Sequence, residues 1–251
     1  MKTMIYALLS VNEKPERLNT FLDGMKGIAG TNLVPVSFDG ITAVVCDINS
    51  GNVIADKSTA LEYASVLEIL SQQYTLIPMR FGSLLESTDA VSKMLERNCS
   101  NIHHNLVKVE NKHEFGLRIF CEPEKLSEVL QAKSEAGIKV NADSVPETTN
   151  SVFLNYVNKK LKEHRLEELF INYVDFVIAE ISEYLVQMNA TSKFKKMGSA
   201  TNIIEAVFLL EKDRKGELIH AVQNLQKNNK ELNFVLTGPW PPYNFAEITI
   251  K

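Results

Sequence analysis

The residue types that most often carry chemistry are sparse in this chain. Five histidines (His103, His104, His113, His164, His220) and three cysteines (Cys46, Cys99, Cys121) are scattered over 251 residues. None forms a His-Glu-x-x-His or Cys-x-x-Cys pair, the spacings that present zinc ligands together. Cys99 and His103 stand four apart on a segment of helical periodicity, so they share a helix face and could share a metal. One helical turn supplies only two donors where zinc takes three or four, so no metal is expected. There is no Gly-x-Ser-x-Gly elbow and no phosphate-binding loop before a Gly-Lys-Ser/Thr. Gly24, Gly27 and Gly30 follow a helix and lack the close glycine pair of a dinucleotide site. No catalytic residue and no cofactor is expected.

Two basic features remain. Lys193, Lys195 and Lys196 cluster beside Phe194, either as the solvated face of a strand or as a contact for an acidic partner or nucleic acid. Arg80 stands between Met79 and Phe81, after a short apolar run from Leu76. Its guanidinium must stay in water or find a carboxylate or carbonyls. It either ties its loop to a neighbouring helix end or recognises a partner.

The stretch Leu236 to Phe245 reads Leu-Thr-Gly-Pro-Trp-Pro-Pro-Tyr-Asn-Phe and holds the single tryptophan, Trp240. Three prolines remove three backbone donors, which excludes a helix and a central strand. Gly238-Pro239 marks a turn, and Pro241-Pro242 favours an extended path. A stiff strip with three aromatics loses little entropy on packing. It either closes a core, with Trp240 buried against the C-terminal domain, or presents Trp240 and Tyr243 to a partner.

Thr237 to Phe245 resembles the C-terminal signature of the gas vesicle protein F/L family. Leu76-Ile-Pro-Met-Arg-Phe-Gly82 is similar to that family's Leu-Pro-Val-Arg-Phe-Gly segment, with Ile77 and Met79 in place of the commoner residues. His113-Glu-Phe-Gly-Leu-Arg-Ile-Phe120 resembles its Glu-Trp-Gly-Val-Lys-Val strand, with Phe115 where Trp is usual. The resemblance implies an accessory protein of gas vesicle assembly and not an enzyme. Its implied partners are the small hydrophobic shell protein and other accessory proteins of the vesicle. The partner-binding candidates are Arg80, Phe81, Trp240 and Tyr243.

Composition agrees with a soluble globular chain: 45% hydrophobic, 23% charged. A net charge of −4 gives no general attraction to nucleic acid or anionic lipid. No apolar run approaches a membrane span. The first residues read as a strand and not as a signal peptide. Three scattered cysteines argue for a reducing cytosol. The expected location is cytoplasmic, at the gas vesicle.

These residues need a scaffold. Thr3 to Leu9 is apolar on both faces and reads as a strand inside a sheet. Leu18, Phe21, Leu22 and Met25 follow at helical spacing, with Pro15 in the first turn. Val34 to Phe38 and Ile41 to Ile48 flank Asp39-Gly40, a strong hairpin signal. Helical faces follow at Tyr63 to Tyr74 and Val91 to Leu106, the second starting near Ser87. Leu76 to Met79 between them reads as an edge strand, since Pro78 cannot donate. Phe115, Leu117, Ile119 and Cys121 alternate with Glu114, Gly116, Arg118 and Phe120, which predicts a strand with one buried face.

Leu126, Val129 and Leu130 begin a helix, and Gly137 to Thr149 reads as a mobile loop. Leu166 to Tyr184 carries a wide apolar helical stripe. Lys193 to Met197 and Asn202 to Leu210 are strands, Lys215-Gly216 opens a helix, and Leu232 to Leu236 is a buried strand. The expectation is an α+β protein of two domains. Residues 1–110 form a small sheet with helices on one side. Residues 111–251 form a modified ferredoxin-like domain with an enlarged helical crossover and a Pro-rich aromatic tail. The alternative function is a ferredoxin-like small-molecule-binding protein or enzyme, which requires a pocket of converging polar groups.

Overall fold

The computed structural model describes residues 2–10, 15–48, 56–122, 125, 128, 152–197, 202–246 and 248. The expected loop at Gly137 to Thr149, and Leu126, Val129 and Leu130, lie outside the described residues. The element order begins β1 (Lys2–Ser10), α1 (Pro15–Asp23), β2 (Val34–Phe38), β3 (Ile41–Ile48) and α2 (Lys57–Gln73). It continues with β4 (Leu76–Pro78), β5 (Leu84–Leu85), α3 (Thr88–Val109) and β6 (Lys112–Cys121). The last elements are α4 (Val152–Gln187), β7 (Thr191–Lys196), β8 (Asn202–Glu211), α5 (Lys215–Asn228) and β9 (Leu232–Trp240). The fold is mixed α and β, with two antiparallel sheets and five α-helices among the described residues.

The chain forms two compact units. One comprises Met1–Phe115, Leu209–Lys212 and Gly238–Lys251; the other comprises Gly116–Phe208 and Asp213–Thr237. The aromatic tail thus clusters with the first unit.

In the first unit the sheet runs β2-β3-β1-β4, with β5 also on β1, all antiparallel. The β2–β3 hairpin turns at Asp39 (φ +45) and Gly40 (φ +74). Two successive positive φ values suit a tight hairpin turn and explain the Asp-Gly pair. β1 lies inside the sheet, buried along both faces, as its unbroken apolar run predicts. Tyr6, Leu9, Val44 and Cys46 share one core with Leu18 and Leu22 of α1 and Tyr63, Leu67 and Leu70 of α2. α3 packs against β1, β2 and β3, yet its buried Val91, Leu95 and Ile102 belong to no part of that core. Helices therefore flank both faces of the sheet, which corrects the expectation of helices on one side. Ile5, Leu8, Ala43 and Val45 are as fully buried as the residues that alternate with them, and that demands two covers.

The helix starts follow capping chemistry. Asp56 and Thr59 form a reciprocal capping box at α2. Ser87 Oγ accepts from Ala90 N at 3.2 Å at the start of α3.

In the second unit α4 buries Leu169, Tyr173, Val177, Ile181 and Leu185 at helical spacing, as its stripe predicts. It packs on β7 and α5. The second sheet runs β7-β8-β6-β9. β7 leaves Lys193, Lys195 and Lys196 exposed and turns Phe194 onto Phe208, with ring centroids 6.0 Å apart. Lys196 pairs with Asp175 at 2.6 Å. In β6, Phe115, Leu117, Ile119 and Cys121 are buried as expected, but Glu114 is buried too. β9 is an edge strand in which only Leu232 is fully buried, so it is not the buried strand expected at Leu232 to Leu236. An edge strand lacks a neighbour on one side, and its alternate residues stay open.

Candidate partner-binding surface

The motif Leu76 to Gly82 encodes a strand that stops and turns. Leu76, Ile77 and Pro78 pair with Leu9, Leu8 and Ala7 of β1. Pro78 has no N–H, and the next donor, Met79 N, reaches Tyr6 O at 2.8 Å. The chain then turns: Ser83 N donates to Arg80 O at 3.0 Å, and Ser83 Oγ donates to the same oxygen at 2.7 Å. Gly82, third in this turn, has φ +86, a value that type II turns reserve for glycine.

Tyr63 of α2 holds this turn from below. Its one hydroxyl proton is shared among three carbonyl oxygens: Met79 at 2.9 Å, Ile5 at 3.0 Å and Tyr6 at 3.2 Å. Its ring stacks on Tyr6 at 4.6 Å and meets the Phe81 ring edge-on at 5.2 Å. Tyr6 Oη accepts from Ile28 N at 2.8 Å. Burial pushes both phenols well above the usual tyrosine range. Phe81 is thus the outer member of an aromatic ladder and is half-buried.

Arg80 is exposed. Among the described residues its guanidinium makes no hydrogen bond or ion pair, so the carbonyl of Arg80, and not its side chain, ties the loop.

The tail is clasped by Glu114. Its carboxylate accepts from Asn244 N at 2.7 Å and from Asn244 Nδ2 at 2.5 Å. Pro241, Pro242 and Phe245 are buried, whereas Trp240 is 43% exposed and Tyr243 is 44% exposed. Trp240 is therefore not buried in a core, which corrects the first of the two readings of the strip. Along β9 the even-numbered residues turn inward as far as Leu236. Gly238, at φ +112, breaks this alternation, so Pro239 faces inward and Trp240 outward. A Cβ at Gly238 would sit 2.9 Å from Glu114 O and 3.1 Å from Phe115 Cδ1. Only glycine fits that approach. The Gly238–Pro239 peptide is cis, and this pair lies within a strand and not in a turn.

The fold brings three of the four candidates into one neighbourhood. Phe81 touches Tyr63, and Tyr243 lies close enough to raise the Tyr63 phenol further by charge. Burial, then the charge of Glu114, pushes the Tyr243 phenol up to about 12. Arg80 adjoins Phe81 in sequence. Trp240 lies in the same unit, three residues before Tyr243, with no described contact to Arg80 or Phe81. Sequence reasoning missed Tyr63 and Glu114, which position the others. Tyr63 read as one more apolar helix residue, and Glu114 as a member of the open face of β6.

A separate open cleft of about 460 Å³ lies in the second unit, lined by Tyr184, Gln187, Met188, Gly216, Glu217, His220 and Ala221. No described helix is long and apolar enough to cross a membrane.

Comparison with known proteins agrees along the whole chain. Gas vesicle protein F2 of Halobacterium salinarum is 21% identical over 249 residues, covering 98% of this chain and 92% of the relative. Gas vesicle protein L of Haloferax mediterranei is 25% identical over 221 residues, covering 76% and 62%. The crystal structure of gas vesicle protein GvpF from Anabaena sp. PCC7120 superposes with a TM-score of 0.79 at 17% identity, covering 99% of each chain, and so shares the fold. Residues 3–247 match the family described as gas vesicle synthesis protein GvpL/GvpF. This chain belongs to the GvpL/GvpF family of gas vesicle synthesis proteins.

Proposed function

We propose that this protein is a cytoplasmic accessory factor that binds the small hydrophobic shell protein, and other accessory proteins, while the vesicle wall is built. Family membership supports a role in gas vesicle formation. Binding of the shell protein is supported by Arg80, Phe81, Trp240 and Tyr243. Trp240 and Tyr243 are each more than 40% exposed on anchored backbone, and Arg80 is exposed with no described partner. Trp, Tyr and Arg are the residues that dominate binding hot spots. Phe81 and Tyr243 are held by Tyr63 and the Glu114 clasp, so little entropy is lost when they meet a partner. The partner chemistry fits, since a subunit that builds an apolar gas-facing wall exposes hydrophobic surface until it polymerises and aggregates unless covered.

Residues 111–251 are read as a ferredoxin-like domain following an N-terminal domain of residues 1–110. In sequence, strand and helix alternate as β6-α4-β7-β8-α5-β9, and in space the strands run second, third, first, fourth. The 36-residue α4 is the enlarged crossover. In this reading the domain catalyses nothing.

The test is a pull-down of purified shell protein by wild-type protein and by Arg80→Ala and Trp240→Ala variants, at low and high salt, with folding checked by circular dichroism. Capture should survive raised salt, because screening weakens exposed charge pairs and not apolar burial. Both variants should stay folded and lose capture at least tenfold. A folded wild-type protein that retains no shell protein at either salt would refute the reading.

Ligand binding is the second reading, favoured by the cleft beside His220 and Glu217. A small molecule whose saturable stabilisation is abolished by His220→Ala would support it.

A further inference from the structure

Cys99 and His103 stand one turn apart on α3, and the fold adds a third donor that no sequence spacing could reveal. Asp39 is the first residue of the β2–β3 turn, sixty positions before Cys99. α3 packs against β2 and brings the turn onto the helix face that carries both side chains. Cys99 Sγ lies 3.5 Å from Asp39 Oδ2, and His103 Nε2 lies 2.9 Å from Asp39 O. The donor atoms of Asp39, Cys99 and His103 all fall within 4.8 Å of one another.

We propose that Asp39, Cys99 and His103 form a binding site for a single divalent transition metal, with zinc the best match, and with solvent as its fourth ligand. Zinc bonds of roughly 2.0 Å to nitrogen and oxygen and 2.3 Å to sulfur put tetrahedral donors about 3.5 Å apart. The sulfur–oxygen pair already has that separation, and His103 joins it by giving up its hydrogen bond to the Asp39 main-chain carbonyl or by ligating through its other ring nitrogen. A thiolate with an imidazole disfavours calcium and magnesium, which take oxygen donors. The thiol proton leaves to solvent as the metal–sulfur bond forms. Cys46 and Cys121 are at most 1% exposed and cannot compete, whereas Cys99 is half-exposed. The turn is a two-residue hairpin in which both residues hold positive φ. A bound ion would pin α3 to that turn and stabilise the first unit. This departs from the expectation of no metal, because the missing ligand arrives through tertiary packing.

The experiment uses the full chain, reduced and free of added histidine tags, titrated with Co²⁺ and then with Zn²⁺. Cobalt should produce a thiolate-to-metal charge-transfer band and intense tetrahedral visible bands, at one ion per chain. Zinc should displace it and raise the Tm. Cys99→Ser should abolish the charge-transfer band, and His103→Gln and Asp39→Asn should each weaken binding at least tenfold. Asn tolerates the left-handed conformation of position 39, so Asp39→Asn keeps the turn and removes only the charge. If cobalt gives no thiolate band, or if the folded Cys99→Ser and His103→Gln variants bind as tightly as wild type, the site does not exist.

Discussion

The Glu114 carboxylate grips Asn244 twice, through its backbone N–H and its side-chain amide, across 130 positions of sequence. Glu114 is 4% exposed, so this clasp fixes the tail from inside the first unit. Glu114→Gln turns one acceptor into a donor that faces a donor. The expected cost is about 1.5–3 kcal/mol, the range for hydrogen bonds to a charged group. Urea unfolding followed by the emission of Trp240 should report it. Hydrogen exchange should rise first over Gly238 to Phe245.

Tyr63→Phe keeps the ring ladder and removes the proton shared by Met79, Ile5 and Tyr6 carbonyls. The loss should be about 1–2 kcal/mol, visible as a lower Tm with unchanged far-ultraviolet circular dichroism.

Alkaline pH should destabilise the fold in two stages. Burial raises the thiols of Cys46 and Cys121 and the phenols of Tyr6, Tyr63 and Tyr173. A raised group holds its proton in the folded chain after the unfolded chain has lost it. The unfolded state then binds fewer protons, and stability falls as pH rises. Full stability is expected below about pH 8.5, a first decline above it from the thiols, and a steeper one above about pH 10 from the phenols. Urea midpoints across pH 7–11 test this, and Tyr63→Phe should flatten the upper limb.

Two glycines should respond oppositely to alanine. Gly238→Ala places a Cβ against Glu114 O at φ +112; the conformation alone costs about 1–3 kcal/mol, before the clash. Gly216 opens α5 with nothing within 4 Å of an added Cβ. Gly216→Ala should be neutral or stabilising by up to about 1 kcal/mol. Thermal melts of the two variants separate these outcomes.

Local rules were legible where one residue type had one job. Asp39-Gly40 announced its hairpin through the need for positive φ, and the alternation of β6 announced its buried face. The sidedness of the first sheet was misread, although the unbroken apolar run of β1 implied two covers. The core reading of Trp240 fails because a single backbone angle at Gly238 reverses which residues face inward, and side-chain identity carries no trace of that. Trp240→Ala is accordingly expected to cost less than the roughly 3–5 kcal/mol of a buried aromatic. Arg80, Trp240 and Tyr243 are exposed and Phe81 is half-buried, while the supports, Tyr63 and Glu114, emerge only from long-range packing.

Arg80, Phe81, Trp240 and Tyr243 are proposed to meet the shell protein. A photoreactive amino acid at position 240, with a control at the exposed Ile219 of α5, tests this contact directly when each variant is mixed with shell protein and irradiated. A covalent adduct with the shell protein is expected from position 240 and none from position 219. No adduct from 240, or equal adducts from both positions in folded protein, would contradict it.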